Sequence, residues 1–257
     1  MILTIDIGNT NIVFGGYTEG HFPFVVRMAT NPLETEIEYA AKIRDALSLY
    51  QIDTTAISGA IISSVVPPLS AIMKDAVKLL CHIDSITVTP GIKTGINLRC
   101  EEPRTVGADL ICACVAAHFH YGSPSLVVDM GTATKILLMD QTGSFIGASI
   151  IPGVNISLKA LSGNTAQLPQ IGLEAPISVI GKNTLTCMQS GVIYGNASMI
   201  DGMIDRYCEA FGATLPVIAT GGLSRMIIPH CKHTIILDDA LVLKGLVILY
   251  EKNHKAI

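Results

Sequence analysis

One short pattern occurs twice in this chain and limits its possible folds more than any other feature. Residues 3–10 read LTIDIGNT and residues 126–133 read LVVDMGTA, and the two segments align without a gap, 123 residues apart. In each copy an apolar strand carries an aspartate to its end, and a glycine follows two positions later. Internal similarity at half-chain spacing indicates a duplicated unit. The repeat therefore predicts two domains of like topology that face each other across a cleft.

The elements around the two copies support this duplication. Each copy begins a predicted meander of three antiparallel strands, because short runs rich in β-formers follow one another with turn signals between them. Helical periodicity and β-branched runs then predict further helices and strands. The predicted helices cover 34–50, 69–80, 105–121 and 183–211, the last as one helix or two, and further strands cover 56–66, 85–89 and 217–220.

Composition excludes several classes of protein. Apolar residues make up 49% of the 257 residues and charged residues 15%, which suits two domains with sizeable cores and argues against disorder. Mean hydropathy is high at +0.50, but no apolar run reaches the ~18 residues that a spanning helix needs. The net charge of −4 has no basic stripe beside it, which argues against nucleic acid as the main partner.

The terminus and the cysteines indicate a cytoplasmic location. The start, MILTIDIG, lacks the basic region of a signal peptide, and the seven cysteines contain no CxxC pair, which predicts reduced thiols. Cys114 and His118 lie one helical turn apart with Cys112 and His120 nearby, so a metal site is conceivable. The apolar residues around them favour packing in a core instead.

The first copy of the pattern has the chemistry of a phosphate-binding turn. Gly8 allows a tight turn whose amides can face an anion, and Asn9, Thr10 and Asn11 add neutral donors. Asp6 could hold a magnesium ion, which prefers oxygen ligands and bridges phosphates. A strand turn with no ligand is the alternative for this copy taken alone.

The second copy makes the phosphate interpretation stronger. Asp129, Gly131 and Thr132 repeat the order of acid, glycine and hydroxyl, and two such hairpins could clamp a polyphosphate from both sides. A third strand, 217–220, runs into Gly221 and Gly222, whose bare backbone could lie against a purine or ribose. A plain turn between strand and helix is the alternative there. Together the three turns resemble those of the sugar kinase, actin and Hsp70 superfamily.

Asp109 is the strongest candidate for a catalytic base. It follows Gly107 and Ala108 at the start of a predicted helix, where the helix dipole stabilises an acid. It could be a structural first-turn acid, or it could orient and deprotonate a substrate hydroxyl that attacks a γ-phosphate.

The motifs are similar, across nearly the whole chain, to those of the type III pantothenate kinases. They run in the order DIGNTNI, SSVVPP, VGAD, VVDMGTAT, GASIIPGV, ALSGNTAQLP, IGKNT, MQSG, TGGL and KGLVILYEKN. The resemblance implies an α/β protein of two duplicated ribonuclease-H-like domains, each a mixed five-stranded sheet flanked by helices. The expected domains are residues 1–118 and 119–257. It also implies a homodimer that phosphorylates pantothenate with ATP, Mg²⁺ and a monovalent cation, K⁺ or NH₄⁺, in coenzyme A synthesis.

Residue by residue, the resemblance implies a set of roles. Residues 6–13 would form the first ATP loop, and Thr132 would contact ATP. Asp109 would accept the proton, and Asp129 would coordinate the monovalent cation, whose charge matters because no phosphate-binding lysine is evident in the loops. Thr184 would contact pantothenate, in its own subunit or in the partner subunit.

Three positions depart from the family pattern. Leu110 stands after Gly107–Asp109 where the family usually has arginine, Cys100 stands where it usually has tyrosine, and Val13 where it often has lysine. The first two fall in the expected pantothenate pocket, and Arg104 is a candidate to compensate for the lost arginine. Two alternatives therefore stay open. One is a kinase for another small hydroxylated substrate. The other is a non-catalytic ATP-binding regulatory paralogue, which the retained acids argue against.

Overall fold

The computed structural model describes residues 1–165 and 167–254 as an α/β protein. The first part of the chain forms β1 (Ile2–Ile7), β2 (Asn11–Thr18), β3 (His21–Ala29), α1 (Glu36–Leu49), β4 (Gly59–Ser64), α2 (Pro67–Cys81), β5 (Ile86–Thr87) and α3 (Ala108–Tyr121). The rest forms β6 (Ser125–Met130), β7 (Ala133–Met139), β8 (Phe145–Pro152), α4 (Val154–Gly163), α5 (Thr184–Phe211), β9 (Val217–Thr220), α6 (Ser224–Ile227), β10 (Ile236–Leu237) and α7 (Leu241–Asn253).

The two sheets have the same topology, which confirms the predicted duplication. The first has the order β3-β2-β1-β4-β5 and the second the order β10-β9-β6-β7-β8. In the first, β1 pairs antiparallel with β2 and parallel with β4. In the second, β6 pairs antiparallel with β7 and parallel with β9. The predicted mixed five-stranded sheets with flanking helices are therefore confirmed.

Burial of the central strands explains why their sequences are apolar without alternation. In β6 every residue is buried, including Ser125 and Asp129, and in β1 the buried residues include Leu3, Ile5 and Ile7. A strand covered on both faces reads as a continuous apolar run. Each central strand therefore delivers its aspartate to the end of a fully packed sheet.

Local signals set the ends of two helices near their predicted limits. In α1, Thr35 and Glu38 form a reciprocal capping box at the N-terminus. In α5, Asn183 caps the N-terminus and Gly212 adopts a left-handed conformation (φ 80°) just past the C-terminus. The segment predicted as one helix or two is therefore one helix of 28 residues.

The chain divides into two compact units that differ from the predicted domain boundary. The first unit comprises Met1–Asn97, Glu101–Phe119 and the C-terminal segment from Ala240, and the second comprises Leu98–Cys100 and His120–Asp239. The division near residue 119 lies close to the predicted one. The C-terminal helix α7, counted above with the second domain, packs in the first unit, mainly against β1 and β4.

A close backbone contact shows why α7 belongs to the first unit. A Cβ added at Gly245 on α7 would lie 2.0 Å from the carbonyl oxygen of Cys112 on α3. Both helices carry buried apolar residues, among them Leu246 and Leu249 on α7 and Val115 on α3. The apolar run KGLVILYEKN is therefore a core helix of the first unit, which the sequence pattern did not assign.

The cysteines of α3 lie in the core, whereas its His118 is only partly buried and its His120 is exposed. Cys112 and Cys114 are buried, and all seven cysteines are free thiols. Within residues 1–165 and 167–254 there is no group of three or more histidine, cysteine or acidic side chains that could hold a metal. Ala166, in the motif ALSGNTAQLP, lies outside the described residues, and so do residues 255–257 at the end of the second expected domain.

None of the helices in the described residues combines the length and the apolar character that crossing a bilayer requires.

The contact at Gly245 leads to a prediction about stability. We expect Gly245→Ala to lower the free energy of unfolding by about 3 kcal/mol, because the methyl group would overlap the backbone of α3. Gly163→Ala is the control, since a Cβ there meets no atom within 4 Å. Urea denaturation followed by circular dichroism measures both variants, and equal midpoints would contradict the proposed packing.

Candidate active site

The first candidate loop connects β1 to β2 and is held by backbone contacts. The amide of Gly8 donates to the carbonyl of Asn11 at 3.0 Å, and a Cβ on Gly8 would lie 3.0 Å from that same oxygen. From beyond β3, the Thr30 hydroxyl donates to the carbonyl of Gly8 at 2.7 Å, and the Thr30 amide donates to Thr10 at 3.0 Å. Asn9 and Thr10 are exposed at the tip. The loop is therefore fixed at its base and open to a ligand at its tip.

A second segment lies beside this loop at the same edge of the first sheet. β4 runs parallel to β1, with Asp6 opposite Ser63, and the Val65 amide donates to the carbonyl of Ile7 at 3.0 Å. Parallel strands place their carboxyl ends together, which is where open α/β sheets bind ligands. The SSVVPP motif, which the sequence linked only to a resemblance, therefore forms the wall next to Asp6.

Asp109 lies in the first turn of α3, as predicted. Its Oδ1 accepts a hydrogen bond from the Leu110 amide at 2.9 Å. A Cβ added at Gly107 would lie 2.5 Å from this Oδ1 and 3.6 Å from Val65 Cγ1. Gly107 is therefore the residue that leaves room for the carboxylate next to the SSVVPP segment.

Asp6 and Asp109 act on the same region of the first unit. Burial raises the pKa of the Cys112 thiol well above its usual value, and the charges of Asp6 and Asp109 raise it further. Both carboxylates must be near Cys112 to do so, since Coulomb interactions fall with distance. The structure thus gathers the two predicted acids of this unit at one end of its sheet, where a positively charged ligand would be favoured.

The second candidate loop, between β6 and β7, is enclosed by two glycine contacts in its own unit. A Cβ on Gly153, the residue before α4, would lie 2.1 Å from the carbonyl oxygen of Thr132. A Cβ on Gly221 would lie 2.6 Å from the backbone of Met130, and Gly221 has φ +96°. The predicted Gly221-Gly222 turn therefore lies directly against Met130, at the start of the second candidate loop. Sequence reasoning missed Gly153, although its motif GASIIPGV carried a signal.

Gly131 differs from these packed glycines. A Cβ placed there would meet its nearest neighbours, Ala133 O and Asp129 Oδ1, at 3.7 Å, which is ordinary contact. The amide of Gly131 donates to the carbonyl of Ala133 at 3.2 Å. The fold itself therefore does not require glycine at this position, and the open space beside it is available to a ligand.

Lys135 is a charged residue at this loop that sequence reasoning did not identify. It lies on β7 directly opposite Asp129, and its Nζ is 3.0 Å from Asp129 Oδ2. Both side chains are largely buried, with 18% of Lys135 and 13% of Asp129 exposed. Sequence reasoning expected no phosphate-binding lysine in the loops themselves, and it did not consider this residue on β7, six positions beyond the aspartate. Strand pairing was the signal that could have found it.

The two expected metal ions fit the structure differently. Mg²⁺ often binds through one or two carboxylates together with substrate phosphates, and Asp6 beside an open loop has that chemistry. A monovalent cation on Asp129 does not fit, because it would lie close to the Lys135 ammonium. Two like charges 4 Å apart repel by about 4 kcal/mol near a protein surface.

The residues expected to contact pantothenate lie in separate places along the chain. Leu110 follows Asp109 in α3 and is half-buried, whereas Thr184 begins α5 and is exposed. Cys100 belongs to the second unit. The two residues before it, Leu98 and Arg99, pair with Phe145 of that unit. Arg104 is exposed on a short 3₁₀ turn, Pro103–Thr105, and not on α3. Whether these residues share a pocket stays a prediction.

Comparison with known proteins identifies the relatives of this chain. The family model described as type III pantothenate kinase matches residues 2–206. A type III pantothenate kinase from Brevibacillus brevis is 39% identical over 254 residues, which span 99% of this chain and 100% of that protein.

Solved structures share the fold at low sequence identity. A conserved Baf family protein from Campylobacter jejuni has a TM-score of 0.58 at 20% identity, covering 98% of both chains. MreB 5 of Spiroplasma citri, in a structure with bound AMPPNP, has a TM-score of 0.55 at 10% identity, covering 97% of this chain and 96% of its own. These two similarities concern the fold alone.

The contrast between Gly131 and Gly221 leads to a prediction about the second loop. We expect Gly131→Ala to keep the melting temperature within about 2 °C of the wild type, because its Cβ makes only ordinary contacts. It should raise the KM for ATP at least about tenfold, because the methyl group would occupy space needed by a phosphate. Gly221→Ala should instead destabilise the protein, since it adds backbone overlap and strain at positive φ. Thermal melts with steady-state kinetics distinguish them, and an unchanged KM in Gly131→Ala would contradict this role.

Proposed function

The chain belongs to the type III pantothenate kinases, which phosphorylate pantothenate in coenzyme A biosynthesis, and on that premise we propose that Asp109 is the proton acceptor of the reaction. The observation that supports it best is the position of Asp109. It lies in the first turn of α3, beside the SSVVPP segment. Its charge, like that of Asp6, raises the pKa of the Cys112 thiol. A carboxylate at such a sheet edge is well placed to meet a substrate hydroxyl.

The proposed step transfers the γ-phosphoryl group of ATP to a hydroxyl of pantothenate. The hydroxyl oxygen forms the new bond to the γ-phosphorus, the bond from that phosphorus to the β,γ-bridging oxygen breaks, and ADP leaves. The hydroxyl proton passes to the Asp109 carboxylate. The hydrogen bond from the Leu110 amide to Oδ1 holds the carboxylate in place for this role.

The two loops are assigned to the phosphates of ATP. In the first unit, Gly8, Asn9, Thr10 and Asn11 offer amides and side-chain donors, and Asp6 would hold the Mg²⁺ that offsets phosphate charge. In the second unit, backbone and hydroxyl groups of four residues would contact ATP. These residues are Gly131, Thr132, Gly221 and Gly222. The glycine contact of Gly221 with Met130 supports treating these last four as one site.

The acceptor pocket is assigned from the family, with two altered residues. Gly107, Ala108 and Leu110 flank Asp109, and Cys100 and Thr184 are the further candidates. Leu110 offers no positive charge to the carboxylate of pantothenate, and a charged hydrogen bond is worth roughly 1.5–3 kcal/mol. We therefore expect weaker binding of pantothenate than an arginine would give.

A homodimer is also proposed, with α5 at its seam. Gly191 and Gly195 are exposed, and a Cβ added at either would meet no atom within 4 Å, so there is open space beside these small residues. Leu161 on α4 is an exposed apolar residue that lines the same cavity as Gly191. A second copy of the chain would cover them and could supply Thr184 to its partner's substrate.

The role of Asp109 can be tested by removing its charge. Asp109→Asn keeps an oxygen that can accept the Leu110 amide, so the fold should be retained. We expect kcat to fall about 100- to 10,000-fold, as is usual when a general base is lost. Asp45→Asn, an exposed acid of α1, is the matched control and should leave kcat unchanged.

The assay couples ADP release to NADH oxidation, with Mg²⁺ and with pantothenate or other small alcohols as acceptors. Full activity in Asp109→Asn would refute the assigned role. Preference for another alcohol would instead favour a kinase with shifted specificity, which the altered Leu110 and Cys100 make the second candidate.

The dimer can be tested by sedimentation velocity. We expect the wild type to sediment as a dimer, and Gly191→Glu on α5 to sediment as a monomer, because a charge would be buried at the seam. Lys74→Glu, which also adds negative charge at an exposed position but on α2, is the control and should remain a dimer. A wild-type protein that sediments as a monomer at micromolar concentration would rule out this seam.

A further inference from the structure

We infer that the ammonium of Lys135 supplies the fixed positive charge at Asp129, so that this kinase works without a potassium or ammonium ion. The inference rests on the proposed function, since it assigns Asp129 to the second phosphate loop. It goes beyond that function in naming the residue that takes the place of a dissociable cation.

Strand pairing sets the position of the lysine. Asp129 and Lys135 are direct partners in the antiparallel ladder of β6 and β7, so their side chains extend on the same face. Their charged atoms are 3.0 Å apart, and less than a fifth of either side chain is exposed. Because both residues belong to strands of a packed sheet, the ammonium is placed without depending on a flexible loop.

The chemistry of the pair matches what a bound monovalent cation would provide. An ammonium group carries one positive charge and binds carboxylate oxygens through its N–H donors. Asp129 with Lys135 has the same net charge as Asp129 with K⁺. The tethered charge cannot diffuse away, and it excludes a second cation of the same sign from the carboxylate.

The first sheet shows the same position without a charge. β1 and β2 correspond to β6 and β7, and the residue opposite Asp6 is Val13. Val13 carries no charge, so the two equivalent strand positions differ in what they place opposite the aspartate. The two loops should therefore differ in the cation that they use, with Mg²⁺ proposed at Asp6 and no monovalent ion required at Asp129.

A purely structural role is the competing explanation for the pair. A buried ion pair often adds little net stability, and removing one partner is destabilising because the other charge stays buried. Loss of Lys135 would therefore lower stability under either explanation. Only the catalytic explanation requires that a free monovalent cation restore what the variant has lost.

The experiment compares the wild type with Lys135→Met and Lys135→Arg at constant ionic strength. Potassium chloride replaces choline chloride stepwise up to 100 mM, with Mg²⁺, ATP and pantothenate saturating. We expect the wild type and Lys135→Arg to change kcat less than about twofold between the two salts. Lys135→Met should lose at least about tenfold in choline chloride and recover several-fold in potassium chloride. Lys78→Met, which breaks the exposed pair with Asp84, is the matched control and should follow the wild type.

Melting temperature gives a second readout that does not depend on turnover. Potassium should raise the melting temperature of Lys135→Met by at least about 3 °C relative to choline, because the ion binds only the folded site. The wild type should show no such difference.

The outcomes separate this inference from the proposed function. A wild type that potassium activates tenfold or more, or whose melting temperature potassium raises as in Lys135→Met, overturns the inference while the kinase assignment stands. A Lys135→Met protein that potassium neither activates nor stabilises also overturns it. Absence of turnover in every salt would contradict the proposed function, and the melting temperatures would then decide the inference alone.

Discussion

In each unit the central strand pairs antiparallel with the strand that follows it and parallel with a strand that comes much later. β1 pairs in this way with β2 and β4, and β6 with β7 and β9. The antiparallel partner makes the hairpin loop that carries glycine and hydroxyl groups. The parallel partner brings a second chain segment to the same edge. In each unit, the hairpin loop and this second segment meet at the residue that follows the aspartate.

Close backbone approach then shapes these edges. Gly107, Gly153 and Gly221 each lie where a Cβ would overlap a neighbouring group, and those groups are the Asp109 carboxylate, Thr132 and Met130. Only a residue without a side chain allows such contacts, and at Gly221 the positive φ adds a second reason. These glycines therefore hold the loops in place, whereas Gly131 leaves space open beside one of them. Glycine therefore has two different uses in these loops.

Charge is distributed unequally between the two loops. Asp6 and Asp109 gather negative charge in the first unit, which suits a divalent cation with bound phosphates. In the second unit Asp129 is paired with Lys135 inside the packed sheet. Duplication gave the two halves the same backbone, but substitution at equivalent strand positions gave them different electrostatics.

The duplicated topology, most of the strands and helices and the family could be predicted from the sequence. Those features depend on local periodicity, turn residues and a repeat, all of which can be read along the chain. The packing of α7 in the first unit could be seen only in the tertiary structure, because the contact of Gly245 with Cys112 joins residues 133 positions apart. The tertiary structure also shows that Asp129 is paired with Lys135. Lys135 lies opposite that aspartate through strand register, which the spacing of motifs along the chain does not reveal.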